Sequence, residues 1–456
     1  MIIMKKLNVF LLCMLLCSAI ACVKDFPHRE VASIETESNY VSIDEARDRV
    51  KDLLLQIDNP TRGASQRYIV EEYRLGSLNT KTSLDEEDSP LVYIFNFNDN
   101  NGFAIASGDN RMPPVFCITD QGRLTDSVAI PESAALLLSL IEDEYKSVVR
   151  GAKGYDSFVT EIDSLPILPG PQIGGDDDDD GDDDYISPTY VLYGQWVDSP
   201  VTGQKIQSKW GQGYPFNEKC PTEDGEHDLV GCVAVAVGQV MYYWKQNTTY
   251  NGHTYDWTLM SSLKDSSSIV SSPNKEYVQN LLSDLGREEN LYMEYGLEAS
   301  YADCDNIART FENFGYSSGG TSNEYDVDIV RSEIDLNCPV TVCGFAYKKI
   351  TKVLGVTVLT WHEEGHEWVI DQYKTQTRTA DTYNTETGNL ISSGTQERTL
   401  VHCNFGWRGN WDGFYLSGIF NTNNGEGRIS TRSDDKETDV ARYYKYLLTV
   451  HHGIRP

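Results

Sequence analysis

Basic residues are scarce in this chain. Against 69 Asp and Glu stand only 38 Lys and Arg, a formal charge of −31 over 456 residues. So acidic a surface repels phosphates, which excludes nucleic acid and anionic lipid surfaces as partners. Long apolar runs are missing too. Beyond residues 7–20 no stretch approaches the length that spans a bilayer, so any membrane contact is an anchor. Paired cysteines of the metal-binding kind are also absent: none of the ten Cys lies in a CxxC pair or a zinc-type spacing. What remains is a large globular chain, long enough for more than one domain.

The N-terminus reads as an export signal. Lys5 and Lys6 precede the apolar run, and Ala19-Ile20-Ala21-Cys22 closes it with small residues. Those last four residues resemble the lipobox of bacterial lipoproteins, which implies loss of residues 1–21 and acylation of Cys22. Ala19 stands where Leu is usual, and plain cleavage with secretion is the alternative. Once Cys13 and Cys17 leave with the signal and Cys22 carries lipid, Cys117, Cys220, Cys232, Cys304, Cys338, Cys343 and Cys403 remain. An odd number leaves at least one thiol free. We expect few or no disulfides. The β-like stretch 339–342 argues against a Cys338–Cys343 bridge, which would have to bend it.

Residues 22–165 read as a folding unit of their own. Ser42-Ile43-Asp44-Glu45 is a capping box. It opens a helix whose apolar face is Ile43, Ala46, Val50, Leu53, Leu54 and Ile57, ended by Pro60 and Gly63. Residues 68–70, 91–97 and 103–107 read as strands, the last two joined by the turn 99–102. Residues 133–149 supply a second helix. The pattern Tyr93-x-Phe95-Asn96-Phe97, Asn101-Gly102-Phe103, Ser107-Gly108-Asp109 and Pro113-Pro114-Val115 resembles the inhibitory propeptide of streptopain-type proteases. Behind this unit, residues 166–188 hold Asp176 to Asp180 and Asp182 to Asp184. Like charges at this density cannot bury a core. They lack the alternating register of a calcium loop, and the segment reads as an extended, protease-accessible linker.

The rest of the chain is organised around residues 231–244, an apolar run with Cys232 at its front edge. We read it as a buried helix, although the alternation of Val233, Val235 and Val237 also fits a buried strand. Only a thiolate attacks, and a helix N-terminus lowers a cysteine's pKa, so Cys232 is the candidate nucleophile. Gln212, in the Gly-rich segment 210–217, is placed to offer its amide to a developing oxyanion.

A nucleophilic thiol needs a base. Of the eight histidines, His362, His366 and His402 are the serious candidates. His366 opens a good strand, 365–373, and lies 134 residues beyond Cys232, within the range of papain-like Cys-to-His separations. His362-Glu363-Glu364-Gly365-His366 also spells H-E-x-x-H, the zinc-protease signature, which works only on a helix. Here β-type sequence lies on both sides; in an extended chain the two rings would stand roughly 13 Å apart. Asn404, in the aromatic and Gly-rich segment 401–415, can accept a hydrogen bond from an imidazole and hold its tautomer. His402, two residues before it, reads as a supporting residue.

Taken together, Cys220-Pro221, Gly231-Cys232-Val233-Ala234-x-Ala236-x-x-Gln239-x-Met241-x-Tyr243-Trp244, Gly365-His366-x-x-Val369-Ile370-Asp371 and His402-x-Asn404-x-Gly406-Trp407 resemble the streptopain family of cysteine peptidases. The resemblance implies an α+β, papain-like catalytic domain over residues 189–456, with a helical part and an antiparallel β part, behind a small α+β propeptide domain. It implies a cysteine endopeptidase exported as a zymogen. Cys232 would be the nucleophile, His366 the base and Asn404 the orienting residue, with Gln212 in the oxyanion hole and Trp407 as a shield. No cofactor or metal is implied. The partners are protein or peptide substrates and the chain's own propeptide, with membrane contact only through Cys22. Phe405 and Arg408 depart from the family pattern, which has Trp and Gly there, and a smaller ring beside Asn404 would weaken the shield. The papain signature around the nucleophile is absent, so the tie to papain itself is one of fold. A weakened or inactive surface lipoprotein acting as a binding or inhibitory module is the alternative reading.

Overall fold

One 29-residue strand, Val356–Asn384, carries most of the architecture. The structure, a computed structural model, describes residues 40–58, 67–75, 92–124, 189–353, 356–385, 387–417 and 446–456. The expected signal, the helix over 133–149 and the acidic linker lie outside these residues.

The N-terminal part follows the sequence closely. Helix α1 (Ile43–Asp58) starts where Ser42 Oγ accepts from the Glu45 N–H at 3.2 Å, and it buries Ala46, Val50, Leu53 and Leu54. Strands β1 (Ile69–Leu75), β2 (Val92–Phe97), β3 (Phe103–Ser107) and β4 (Val115–Thr119) form an antiparallel meander beside it.

In the second part, β5 (Thr189–Tyr193), β6 (Val197–Asp198) and β7 (Thr202–Gly203) precede two small hairpins. These are β8 (Thr222–Glu223) with β9 (Glu226–His227), and β10 (Thr249–Tyr250) with β11 (His253–Thr254). Between the hairpins runs α2 (Cys232–Trp244), the expected buried helix. Short helices α3 (Trp257–Met260) and α4 (Ser266–Ser271) lead to α5 (Glu276–Leu285) and α6 (Ile307–Asn313). Then come β12 (Ser318–Glu324), α7 (Val327–Asp335), β13 (Val340–Val353), the long strand β14 (Val356–Asn384), β15 (Leu390–Asn404), β16 (Gly413–Leu416) and β17 (Tyr446–Arg455). A helical part and an antiparallel β part, behind a small α+β domain, is the α+β, papain-like arrangement expected.

The sheet crosses the boundary between the two parts. Its order is β1-β2-β3-β4-β16-β15-β14-β13-β17-β12, with β5, β6 and β7 also paired to β14. The join is β4 on β16, where Gly413, Phe414 and Tyr415 face Thr119, Ile118 and Cys117. The buried side chains follow the same plan. One core runs from Val50, Phe95 and Ile105 through Trp368, Val401 and Phe414, and so belongs to both parts. The other surrounds α2, whose Val235, Val237, Val240 and Met241 are buried to 1% exposure or less. Each such side chain contributes about 1.5–3 kcal/mol, which fixes the helix and with it the thiol at its end.

Candidate active site

Cys232 is the first residue of α2, and the residue before it sets the turn. Gly231 has φ 89°, and a Cβ there would meet Met293 at 2.8 Å. Only glycine enters the helix this way without strain. The backbone N–H groups of Glu367 and Val233 point at the thiol. The expected lowering of its pKa is not realised in this arrangement. Burial pushes the Cys232 thiol up to about 12, and the charges of Glu367 and Cys343 add to the effect. Desolvation outweighs the helix N-terminus.

His366 sits next to Glu367 on β14, opposite Gly344 of β13, and is 4% exposed. Its Nε2 is 2.9 Å from the Phe405 carbonyl oxygen, to which it donates. Its ring lies 4.6 Å from that of Trp407. Phe405, the departure from the family pattern, is packed on several sides. Trp407 stacks on it at 5.3 Å, Trp368 lies at 5.8 Å and Tyr415 meets it edge-on at 5.6 Å. The shield is closed by neighbours that the sequence alone does not place. His362 lies in β14, opposite Lys348, so the H-E-x-x-H stretch is strand and not helix.

Asn404 does not face the imidazole in this structure. Its Oδ1 accepts from Gln239 Nε2 at 3.0 Å and from the Gly406 N–H at 3.1 Å, and its Nδ2 donates to the Ser208 carbonyl at 2.9 Å. The amide therefore pins the end of β15 to α2 and to the 208–210 segment, and a backbone carbonyl one residue on takes the histidine. Gln239 is the residue that sequence reasoning undervalued. It also accepts from Ser208 Oγ at 3.0 Å, so one buried amide ties three chain segments. A polar residue at the centre of an otherwise apolar helix was the available signal.

Gln212 is half-buried, and its carbonyl accepts from the Val230 N–H at 2.9 Å, which holds its loop beside the lead-in to Cys232. Arg408 lies over this loop: its Nη2 donates to the Tyr214 carbonyl at 2.9 Å, and a Cβ on Gly211 would meet its Cγ at 2.6 Å. The unexpected arginine thus fills space left by glycines across the chain.

His402 is buried in an ionic cluster. Its Nδ1 is 2.6 Å from Asp371 Oδ1 and its Nε2 is 3.3 Å from Asp120 Oδ2, while Lys205 also pairs with Asp120. Burial works against its charge, but Asp371 overrides this and the imidazole is raised to about 9. Asp412 lies nearby, pushed up to about 7 by burial, and accepts from the Phe405 N–H at 2.9 Å.

A cysteine on a helix N-terminus, with the histidine strand laid across it and a separate N-terminal domain continuing the same sheet, is the build of a cysteine peptidase zymogen. The chain carries a Peptidase C10 family domain, the streptopain family, over residues 210–415, behind a Spi protease inhibitor domain over residues 38–145. Similar proteins include the thiol protease/hemagglutinin PrtT of Porphyromonas gingivalis, 24% identical over 381 residues. That match takes in 76% of this chain and 36% of the relative, so the chain spans about a third of that protein. Streptopain of Streptococcus pyogenes serotype M1 is 22% identical over 391 residues, 76% of this chain and 77% of the relative. Among solved structures, a prointerpain A fragment from Prevotella intermedia aligns with TM-score 0.45 and 18% identity, covering 85% of this chain and 99% of that one. Active interpain A from the same organism aligns at 0.35 and 22%, covering 56% and 96%.

Proposed function

We propose that this peptidase is an exported endopeptidase zymogen in which Cys232 attacks the peptide carbonyl, His366 moves the protons, Gln212 binds the oxyanion and Asn404 positions the histidine segment. One observation supports this above the others. The backbone of Glu367 touches the Cys232 thiol while the adjacent His366 is held on the Phe405 carbonyl. His366 stands one residue from the backbone that meets the thiol, and its release from the Phe405 carbonyl would make it available as the base.

The chemistry then runs as follows. Release of the 405–412 loop frees His366 from the Phe405 carbonyl. The imidazole takes the Cys232 proton, and the resulting imidazolium holds the thiolate that burial alone disfavours. The thiolate adds to the scissile carbonyl. The Cys232 N–H at the helix N-terminus and the Gln212 amide donate to the oxyanion. The imidazolium protonates the departing amine, leaving an acyl-enzyme. His366 then deprotonates a water that attacks the thioester, and the acid product leaves. Asn404 acts through position: with Gln239 it fixes the end of β15, from which Phe405 and Trp407 surround the imidazole.

The same reading takes residues 1–21 as a signal peptide, Cys22 as a lipid anchor at the cell envelope with secretion as the alternative, residues 22–165 as propeptide, 166–188 as linker and 189–456 as the peptidase. Substrates are proteins or peptides. The competing reading, a catalytically silent surface lipoprotein, is separated by one experiment. The purified precursor is incubated until trimmed and exposed to an epoxide peptidase inhibitor, with casein hydrolysis followed in parallel. Labelling of Cys232 with loss of hydrolysis is expected. A trimmed protein that neither labels nor hydrolyses overturns the peptidase role, and active unlabelled Cys232→Ala protein overturns the nucleophile.

A further inference from the structure

Two thiols outside the proposed machinery lie almost in contact. Cys304 opens a short turn ahead of α6, at the edge of the helical part, and Cys343 lies in β13 of the β part. Their Sγ atoms are 2.9 Å apart. Glu367, which pairs with Cys343 across β13 and β14, brings its Oε2 to 3.3 Å from Cys304 Sγ. Its other oxygen, Oε1, is buried without a well-formed hydrogen bond, although the Thr341 hydroxyl lies beside the carboxyl, in a residue only 1% exposed.

We propose that Cys304 and Cys343 are a dithiol site that closes to a disulfide across the two halves of the peptidase domain, with Glu367 taking up the thiol proton. The oxidant is a small-molecule disulfide, RSSR. Glu367 accepts the proton of Cys304, and the thiolate attacks RSSR. An S–S bond forms between Cys304 Sγ and one sulfur of RSSR as the RS–SR bond breaks, and the other half leaves as RS⁻ and is protonated by Glu367. Cys343, deprotonated in turn, attacks Cys304 Sγ and expels the second RS⁻, which leaves as RSH. The net change is two protein thiols and RSSR to one protein disulfide and two RSH.

Three features support this order. Cys304 is half-buried whereas Cys343 is 7% exposed, so an incoming disulfide reaches Cys304 first. Burial raises the Glu367 carboxyl to about 7, so near neutral pH it exists in both the form that accepts a proton and the form that returns one. A buried carboxyl with a poorly hydrogen-bonded oxygen is costly unless it is neutral or has a proton to exchange. A divalent soft metal on Cys304, Cys343 and Glu367 is the rival occupant of the same cluster. Two thiolates on one tetrahedral zinc at about 2.3 Å would stand roughly 3.8 Å apart, and the observed separation of 2.9 Å suits bond formation better. Bridging would also remove the Cys343 thiol from the neighbourhood of Cys232.

The test uses full-length precursor carrying Cys232→Ala, so that no self-processing occurs. Reduced protein is treated with oxidised glutathione, alkylated, digested without reductant and mapped by mass spectrometry. A Cys304–Cys343 cross-linked peptide is expected, two hydrogens lighter than its reduced parts. The bridge should raise the thermal unfolding midpoint by about 5–10 °C over the reduced protein. The rise should vanish with dithiothreitol and in Cys304→Ser. Glu367→Gln should still bridge, but more slowly, and without the inflection near pH 7 expected in the wild-type rate. Full alkylation of both cysteines after glutathione treatment overturns the proposal. So does stoichiometric zinc in the reduced protein that is lost on Cys304→Ser, which makes the cluster a metal site.

Discussion

Asp120, just past the last described strand of the propeptide, faces His402 of the peptidase domain at 3.3 Å from carboxylate to Nε2. The contact is buried on both sides, the His402 side chain being 1% exposed and Asp120 10%. Lys205 adds a second cation on Asp120, and the Asp120 N–H donates to the Asp412 carbonyl at 2.7 Å. The charges of Lys205 and His402 outweigh burial and hold the Asp120 carboxyl far below the usual carboxylate range. The propeptide is therefore fastened at the same place where β4 joins β16, one loop away from the carbonyl that holds His366.

Removing one member of a buried ion pair strands the other. Asp120→Asn should leave His402 with Asp371 alone and weaken propeptide docking by about 3–5 kcal/mol at most. Since the propeptide remains tethered, we expect processing of the wild-type precursor to accelerate at least about 10-fold, the equivalent of about 1.4 kcal/mol. Gel time courses of precursor and mature bands decide it. Unchanged processing removes Asp120 from the latch.

The same cluster makes stability depend on pH, with a definite sign. The folded-state pKa of His402 is raised from 6.5 to about 9, so its contribution is fully present below pH 6.5 and is lost as pH rises through 9. Asp412 and Glu367, both raised to about 7, act in the same direction at lower pH: their neutral forms favour folding, and that contribution is lost as pH climbs through 7. The unfolding midpoint of Cys232→Ala precursor should fall between pH 6.5 and 9. His402→Gln, which has no proton to lose, should flatten that slope, and an equally steep slope in His402→Gln would locate the effect elsewhere.

Much of the site could be read in the sequence because it is local. Cys232 at the head of α2 and His366 in β14 follow from apolar patterning, and α1 and the β2–β3 hairpin follow from a capping box and a turn. What could not be read depends on contacts far apart in the chain. The carbonyl of Phe405 holds His366, yet a backbone oxygen has no residue identity to recognise. Asp120 reaches His402 across 282 residues. Cys304 meets Cys343 only because the turn ahead of α6 reaches β13, and nothing in their spacing announces it. His402, read as a supporting residue, pairs with Asp371 on its own sheet and with Asp120 of the N-terminal domain.

Cys232→Ala and His366→Ala should cost about equally in kcat/KM, because nucleophile and base act as one unit. A loss of at least about 1,000-fold is expected for each, within the range of general acid–base effects. Asn404→Ala should cost less, roughly 10- to 100-fold, through misplacement of the histidine segment by about 1 Å. His402→Ala should affect mature activity least. Rates measured on mature enzyme separate these, and a series in which His402 is the indispensable histidine would reverse the assignment of roles.

Phe405 tests whether the family's larger ring would suit this site. With Trp368, Trp407 and Tyr415 already around a side chain 7% exposed, the pocket has little room. Phe405→Trp should therefore destabilise by about 1–3 kcal/mol, as overpacking does, and should not raise kcat/KM. A Trp variant that is both more stable and more active would show that the pocket relaxes and that Phe405 limits the enzyme.

The strand junction between β4 and β16 is close enough for a single methyl group to disturb. At Gly413 of β16 an added Cβ would meet the Ile118 carbonyl of β4 at 2.3 Å, inside the propeptide's pairing surface. The same residue has φ 157°, so an alanine there also carries local backbone strain with or without β4. Gly413→Ala should therefore loosen the propeptide while sparing the nucleophile. The β4–β16 pairing steadies the loop ahead of β16, in which Asp412 holds the Phe405 N–H and the Phe405 carbonyl holds His366. Weaker pairing should let His366 reach Cys232 more often and speed the first self-cleavage. We place the cut at the apolar margins of the acidic linker, near residues 165–168 or 185–186, because its aspartates repel an acidic enzyme. N-terminal sequencing of the products locates it, and casein hydrolysis sampled along the time course gives the activation rate. Full-length Gly413→Ala should mature several-fold faster than wild type and end at the same specific activity. If it matures at the wild-type rate, the strand junction does not hold the latent state; if the uncut wild-type precursor is already fully active, the N-terminal domain is not inhibitory at all.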